Sequence, residues 1–422
     1  MDPFIKKAYL AILKEELVPA MGCTEPIALA YAAARVREIL GRKPEQMLVL
    51  CSGNMIKNVR CVQIPHSGGM HGIEAATVLG AFGGEAAREM EVLEAVTEED
   101  IREAEAFIRE GRCRVEFLDS EIPLHFIVKA QCGEEDVSAE VRWSHMNIVR
   151  MTKNGKILED HTAQDEAEEL TDRSCLSIEQ IKLFADEIEI AAIKELIDRQ
   201  ISFNMEIAYE GMAGGYGLSI GKVLRGSYAD DVVTRMKAYA AAASEARMDG
   251  CDLPVIINSG SGNQGIASSV PVIIYAREKN LSREKLYRAL VFAALLTTYQ
   301  KEFIGKLSAF CGAVSASCAS GAAITYLCGG SLEQITATID NTLANIPGII
   351  CDGAKISCAS KIATCLDAAM MAHFLAMSGG AYEAYTGILK EEAGETISCV
   401  GRIGKYGMKE TDKEIVRLML QK

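Results

Sequence analysis

Apolar residues at Ile5, Tyr9, Leu13 and Leu17 fall four apart and predict one face of an N-terminal helix. Asp2 reads as its cap and Pro3 as its first residue. A second helix is marked at both ends: Thr24 caps it, Glu25 and Pro26 fill its first turn, and Gly41 ends it. Between residues 87 and 162 the pattern changes. Val92-Leu93-Glu94-Ala95-Val96 predicts a strand, and residues 98–109 a helix ending at Gly111. Alternating runs at 113–118, 124–130, 137–143 and 148–153 predict an antiparallel sheet. From about residue 176 onward, Ala-rich helical patterns broken by glycine loops dominate. The expected fold class is therefore α+β: a predominantly helical domain from residues 1–86 and 163–422, carrying an inserted α+β domain at 87–162.

Composition narrows the function classes. The chain has 422 residues, 49% of them hydrophobic, so it can bury a large core, and its length suggests two or three domains. Aromatics make up only 6%, with Trp143 the sole tryptophan, so that core must rest on Ala, Leu, Ile, Val and Met. A net charge of −14 argues against a nucleic-acid partner. No stretch free of charge and glycine is long enough to suggest a membrane span. Fourteen cysteines without a secretion signal predict a reducing compartment, the cytoplasm, and free thiols rather than disulfides. The expected partner is a small amino-acid substrate, and the expected assembly a homodimer.

Three cysteines stand where the chain is expected to turn into a helix: Cys23 after Gly22, Cys311 before Gly312, and Cys351 two residues before Gly353. A helix N-terminus favours thiolate over thiol. Three thiolates without a fourth suggest a metal centre with one position open for chemistry. Cys318, Cys358 and Cys365 lie in Ala/Ser-rich runs at seven-residue steps and read as small packing residues.

The loop Ser259-Gly260-Ser261-Gly262-Asn263-Gln264-Gly265 follows an apolar run and precedes a helical pattern. It can offer backbone N–H groups to an anion, a carboxylate before a pyrophosphate, or it can be a tight turn between core elements. Its glycine spacing is neither that of a Walker loop nor of a dinucleotide fingerprint. Lys57, in the expected loop Gly53–Asn58, and Lys301 are candidate bases, provided burial lowers their pKa. His66 and His71 flank a further glycine cluster, and residues 211–217 form a third loop, read either as a cavity wall or as helix packing.

Five segments together resemble the L-cysteine desulfidase family, which is related to the iron–sulfur L-serine dehydratase alpha chain. They are Gly22-Cys23-Thr24-Glu25-Pro26-Ile27-Ala28, Ser52-Gly53-Asn54-Met55-Ile56-Lys57-Asn58, Ser259 to Gly265, Gly305-Lys306-Leu307-Ser308-Ala309-Phe310-Cys311-Gly312 and Pro347-Gly348-Ile349-Ile350-Cys351-Asp352-Gly353-Ala354-Lys355. The resemblance covers nearly the whole chain. It implies an oxygen-sensitive 4Fe–4S cluster held by Cys23, Cys311 and Cys351, and β-elimination of L-cysteine to pyruvate, ammonia and sulfide. L-serine dehydration by the same centre is the alternative it leaves open. A non-catalytic iron–sulfur or zinc protein is the alternative from another class.

Overall fold

A computed structural model describes residues 1–162, 171–305 and 308–420. The expected domain boundary after residue 162, Lys306 and Leu307 of the fourth motif, and the last two residues lie outside this range. The fold is α+β and mainly helical, as the patterning predicts.

The described residues form eight strands: β1 (Pro19–Ala20), β2 (Gln46–Cys51), β3 (Cys113–Phe117), β4 (His125–Cys132), β5 (Glu135–Arg142), β6 (Ile148–Lys153), β7 (Lys156–Asp160) and β8 (Val255–Ile256). Six of them form one sheet in the order β3-β2-β4-β5-β6-β7. All neighbours in it run antiparallel except β2 and β3, which are parallel. The sheet is mixed because β2 comes from upstream of residue 87 and enters between β3 and β4. Val92–Val96 is not a strand but a stretch of turns after the 3-10 segment Ala86–Glu91. Val92 and Leu93 are instead buried in the core beneath the sheet.

Two apolar cores organise the molecule. One runs from Ile27 to Met151 and joins the sheet to the helices Thr24–Leu40 and Gly72–Gly83. The other gathers Tyr9, Leu13 and Leu17 with the long helices between residues 178 and 402. Asp2 caps the first helix as expected, through its side chain to the Phe4 N–H. In the second helix the cap is Cys23, one residue earlier than Thr24, and Gly41 closes it in the left-handed conformation.

Small residues let the helices touch backbone to backbone, which suits a chain poor in aromatics. A Cβ at Gly80 would sit 2.2 Å from the Ala30 carbonyl oxygen, and one at Gly211 2.2 Å from that of Ala242. Gly211 thus lies within the helix Ile190–Ala213 and serves helix packing; its loop forms no wall of the cavity described below.

Candidate active site

Between the two cores lies a cavity of about 1200 Å³. Its walls include Cys23, Cys311, Cys351, Ser259, Gly260, Ser261, Asn263, Gln264 and Lys301. Segments nearly 330 residues apart in the chain therefore meet at one place.

Cys311 and Cys351 are brought together by the backbone. Phe310 and Ile350 form an antiparallel bridge, flanked by Cys311 N–H to Ile349 O at 2.8 Å and Cys351 N–H to Ala309 O at 2.7 Å. The helices Gly312–Leu327 and Leu332–Asn345 fill the intervening forty residues and return the chain. The Cys311 thiol donates to the Cys351 sulfur. Cys23 reaches the same cavity as the cap of the second helix.

Cys23 and Cys311 both sit at N-cap positions, where the first N–H groups of the helix lack carbonyl partners, although neither side chain caps its helix. The Cys23 thiol donates instead to Glu25 Oε2 at 3.1 Å. Cys351 is different from expectation. The next helix begins only at Cys358, and a tight turn at Gly353 follows the cysteine instead. Gly353 has φ +97°, and a Cβ there would lie 1.9 Å from the Lys57 carbonyl oxygen, so only glycine fits the turn.

The thiols differ in acidity. The hydrogen bond from Cys311 and the Lys57 ammonium bring Cys351 down to about 5. Burial pushes Cys23 well above the usual thiol range, with the carboxylate of Glu25 adding to it. Cys311 is also raised, first by its bond to Cys351 and then by burial. Among the described residues no three His, Cys, Asp or Glu side chains are grouped closely enough to grip a single metal ion.

The two candidate bases are placed differently. Lys301 stands in the cavity wall at the end of the helix Arg283–Ile304, and burial lowers it to about 8, against the opposing pull of Cys311 and Cys351. Lys57 lies behind the wall, on the helix Gly53–Val59 that replaces the expected loop. Its ammonium is held by Asp412 Oδ1 at 2.5 Å and the Ser308 carbonyl at 3.4 Å. Neither His66 nor His71 lines the cavity, and Gly22 packs on Pro65 rather than facing it.

Asn258 and Ser261 exchange backbone hydrogen bonds around Ser259 and Gly260, both at positive φ, making a two-residue turn. That turn delivers the N-terminus of the helix Gly262–Glu278 to the cavity. Its first intrahelical bond is from Gly265 N–H to Ser261 O, which leaves the N–H groups of Gly262, Asn263 and Gln264 free of carbonyl partners. The tight turn and the exposed helix start are thus one structure.

Comparison with known proteins fixes the family. Residues 87–417 match the serine dehydratase alpha chain family. The chain belongs to that family. A UPF0597 protein of Lachnoclostridium phytofermentans is 46% identical over 98% of this chain and 99% of its own. One from Desulfitobacterium hafniense is 46% identical over 98% and 96%, and one from Treponema denticola 44% identical over 100% and 99%. Serine dehydratase alpha chains are lyase-type enzymes associated with iron–sulfur clusters.

Three cavity residues escape a reading of the sequence. Cys358 lines the wall because the helix starts at it, which turns its side chain toward the Gly353 carbonyl. Glu25, read above as a first-turn helix residue, is buried between the Cys23 sulfur, the Thr24 hydroxyl and Asn58 Nδ2, all at 3.1 Å. Arg247 ends an Ala-rich helix, Val232–Met248, yet turns inward to the cavity. For Glu25 a signal existed, since it follows the cysteine inside a quoted motif. No helix among the described residues is long and apolar enough to cross a membrane.

Proposed function

We propose that this chain is a β-elimination lyase converting L-cysteine to pyruvate, ammonia and sulfide, with a 4Fe–4S cluster held by Cys23, Cys311 and Cys351. The observation that carries this reading is convergence: three cysteines from three distant segments line one cavity, two of them at helix N-termini that favour thiolate. Three thiolates without a fourth fit a cluster with one iron left open. When bound, the cluster supplies Lewis acidity toward the leaving sulfide.

The protein groups account for the rest of the reaction. Lys301, uncharged in a useful fraction near pH 8, takes the proton from Cα. The Cα–H electrons form the Cα=Cβ bond as the Cβ–S bond breaks, and the sulfur departs with its electron pair. The aminoacrylate so formed tautomerises and is hydrolysed by water to pyruvate and ammonia. Negative charge grows on the substrate carboxylate side as the proton leaves, and the free N–H groups of Gly262, Asn263 and Gln264 are fixed dipoles that offset it. Lys57, already paired with Asp412, is the weaker candidate for the base.

L-serine dehydration at the same centre is a second reading, favoured by the family's own description. Anaerobically purified protein assayed for pyruvate against L-cysteine and L-serine in parallel separates the two. Pyruvate with equimolar sulfide from L-cysteine is the expected result. Turnover of neither, by protein containing iron and acid-labile sulfide, refutes both.

A further inference from the structure

The cavity wall holds two buried polar groups whose hydrogen-bonding capacity is unused. Arg247 is 2% exposed, its Nε has no partner, and no carboxylate pairs with it among the described residues. Its one hydrogen bond among the described residues is Nη1 to Asn263 Oδ1 at 3.3 Å. Gln264 is 4% exposed and its Oε1 is also without a partner. A buried cation without a counter-charge is costly, and so is a buried acceptor without a donor. Both line the cavity, and they flank the helix start at Gly262.

The local sequence is shaped around them. A Cβ on Gly262 would lie 2.3 Å from Arg247 Nε, so the missing side chain is the space the guanidinium occupies. A Cβ on Gly312 would lie 2.4 Å from Gln264 Cδ, so the glycine after Cys311 seats the glutamine. Asn263 lines the cavity, and its side chain is engaged within the protein. Its Oδ1 accepts from Ser244 Oγ and Arg247, and its Nδ2 faces Met248 Sδ.

We infer that Arg247 and Gln264 form a recognition pair for a free α-amino acid, Arg247 taking its carboxylate and Gln264 Oε1 accepting from its ammonium, with Asn263 as the residue that positions Arg247. This rests on the lyase reading for the identity of the ligand, and it adds how that ligand is held. A guanidinium binds carboxylate through paired donors, and a neutral amide oxygen is the complement of an ammonium. The pair disfavours hydroxy acids, amides and peptides, because a hydroxyl gives Gln264 a neutral donor in place of an ammonium and an amide gives Arg247 a neutral acceptor in place of a carboxylate.

The test uses ligands without a leaving group, so binding is read apart from turnover. Full-length anaerobic protein is titrated with L-alanine, L-alaninamide and L-lactate, by calorimetry and by the fluorescence of Trp143, the sole tryptophan, which lines the same cavity. The native protein should prefer L-alanine over each analogue by about 30-fold or more. Arg247→Gln should weaken L-alanine about 100-fold and abolish the preference over L-alaninamide alone. Gln264→Leu should abolish the preference over L-lactate alone. If Arg247→Gln does not fold, Gly262→Ala keeps the charge but displaces it, and should likewise erase the discrimination against L-alaninamide.

Unchanged preferences in these variants, with turnover intact, overturn the pair and leave the lyase reading standing. The expected preferences without turnover of L-cysteine or L-serine uphold the pair and remove the lyase reading. A fall in iron and labile sulfide in Arg247→Gln, with discrimination retained, assigns the arginine to Cys23, whose thiolate its charge favours, and overturns the pair.

Discussion

Replacing Asp412 by Asn should release the C-terminal helix Lys409–Leu420, and do so more than removing both members of its ion pair. The side chain of Lys57 is 1% exposed and that of Asp412 20%, with Nζ to Oδ1 at 2.5 Å. Removing the carboxylate strands the ammonium in a dry site where, among the described residues, the one other acceptor is the Ser308 carbonyl at 3.4 Å. Breaking a fully buried pair from one side costs about 3–5 kcal/mol, and the partial exposure of Asp412 brings this to ~2–3 kcal/mol. Lys57→Met leaves Asp412 at the edge, where water reaches it, so the double variant Lys57→Met/Asp412→Asn should lose only ~1 kcal/mol. The helix docks chiefly on Gly53–Val59 and the turn Ile403–Gly407, so the loss appears as local opening before global unfolding. Hydrogen exchange over residues 409–420 is the assay, with urea denaturation as the global control. Protection should fall by about 30- to 100-fold in Asp412→Asn and by less than tenfold in the double variant, following the 1.4 kcal/mol per decade of an equilibrium constant. A double variant as open as Asp412→Asn, or protection unchanged in both, refutes the reasoning.

Other variants test other parts. Cys23→Ala, Cys311→Ala and Cys351→Ala should each abolish the brown colour and the iron and acid-labile sulfide of anaerobic protein, while Cys318→Ala and Cys365→Ala, buried within helices, should retain them. Gly353→Ala should cost more than about 2 kcal/mol in urea denaturation, since the 1.9 Å approach to backbone adds to the strain of φ +97°. Burial raises Asp340 from 3.8 to about 6, with one carboxylate oxygen unpartnered. The folded state therefore holds its proton more tightly, and stability falls as pH rises from about 4 to 6. The full shift corresponds to about 3 kcal/mol, reduced to ~1 kcal/mol because the group is partly exposed. Asp340→Asn should gain that amount at pH 7.5 and little at pH 4, measured by urea midpoints.

Much of this was legible where local chemistry speaks. Thr97 and Asp100 form a capping box, and the helix Glu98–Arg109 begins and ends where the polar pattern places it. The four alternating runs became β3 to β6 within a few residues. Cys23 and Cys311 stood out because a glycine adjoins each at a helix start. Strand β2 did not, because a short apolar run between two helices has no period that separates strand from buried helix. Arg247 was hidden for another reason. An arginine in a last helical turn normally faces solvent and the helix dipole, and only the space at Gly262, fifteen residues on, reveals that it points inward. Cys358 was misplaced by a helix boundary.

The position of β2 also governs how the chain can be assembled. It leaves the ribosome 81 residues before β4 is complete, which at about 5–20 residues per second is roughly 4–16 s. Until β3 emerges late in that interval, Met47, Val49 and Cys51, all buried in the finished sheet, have no strand to pair with on either side. A fragment that starts at residue 87 has the opposite defect: β3 and β4 would be present with the strand that joins them missing. The nascent chain thus carries a sticky, unpaired edge in its first fifty residues, and Pro44 and Glu45 just ahead of it, with the helix Thr24–Leu40 behind, are what stands between that edge and its neighbours on a polysome.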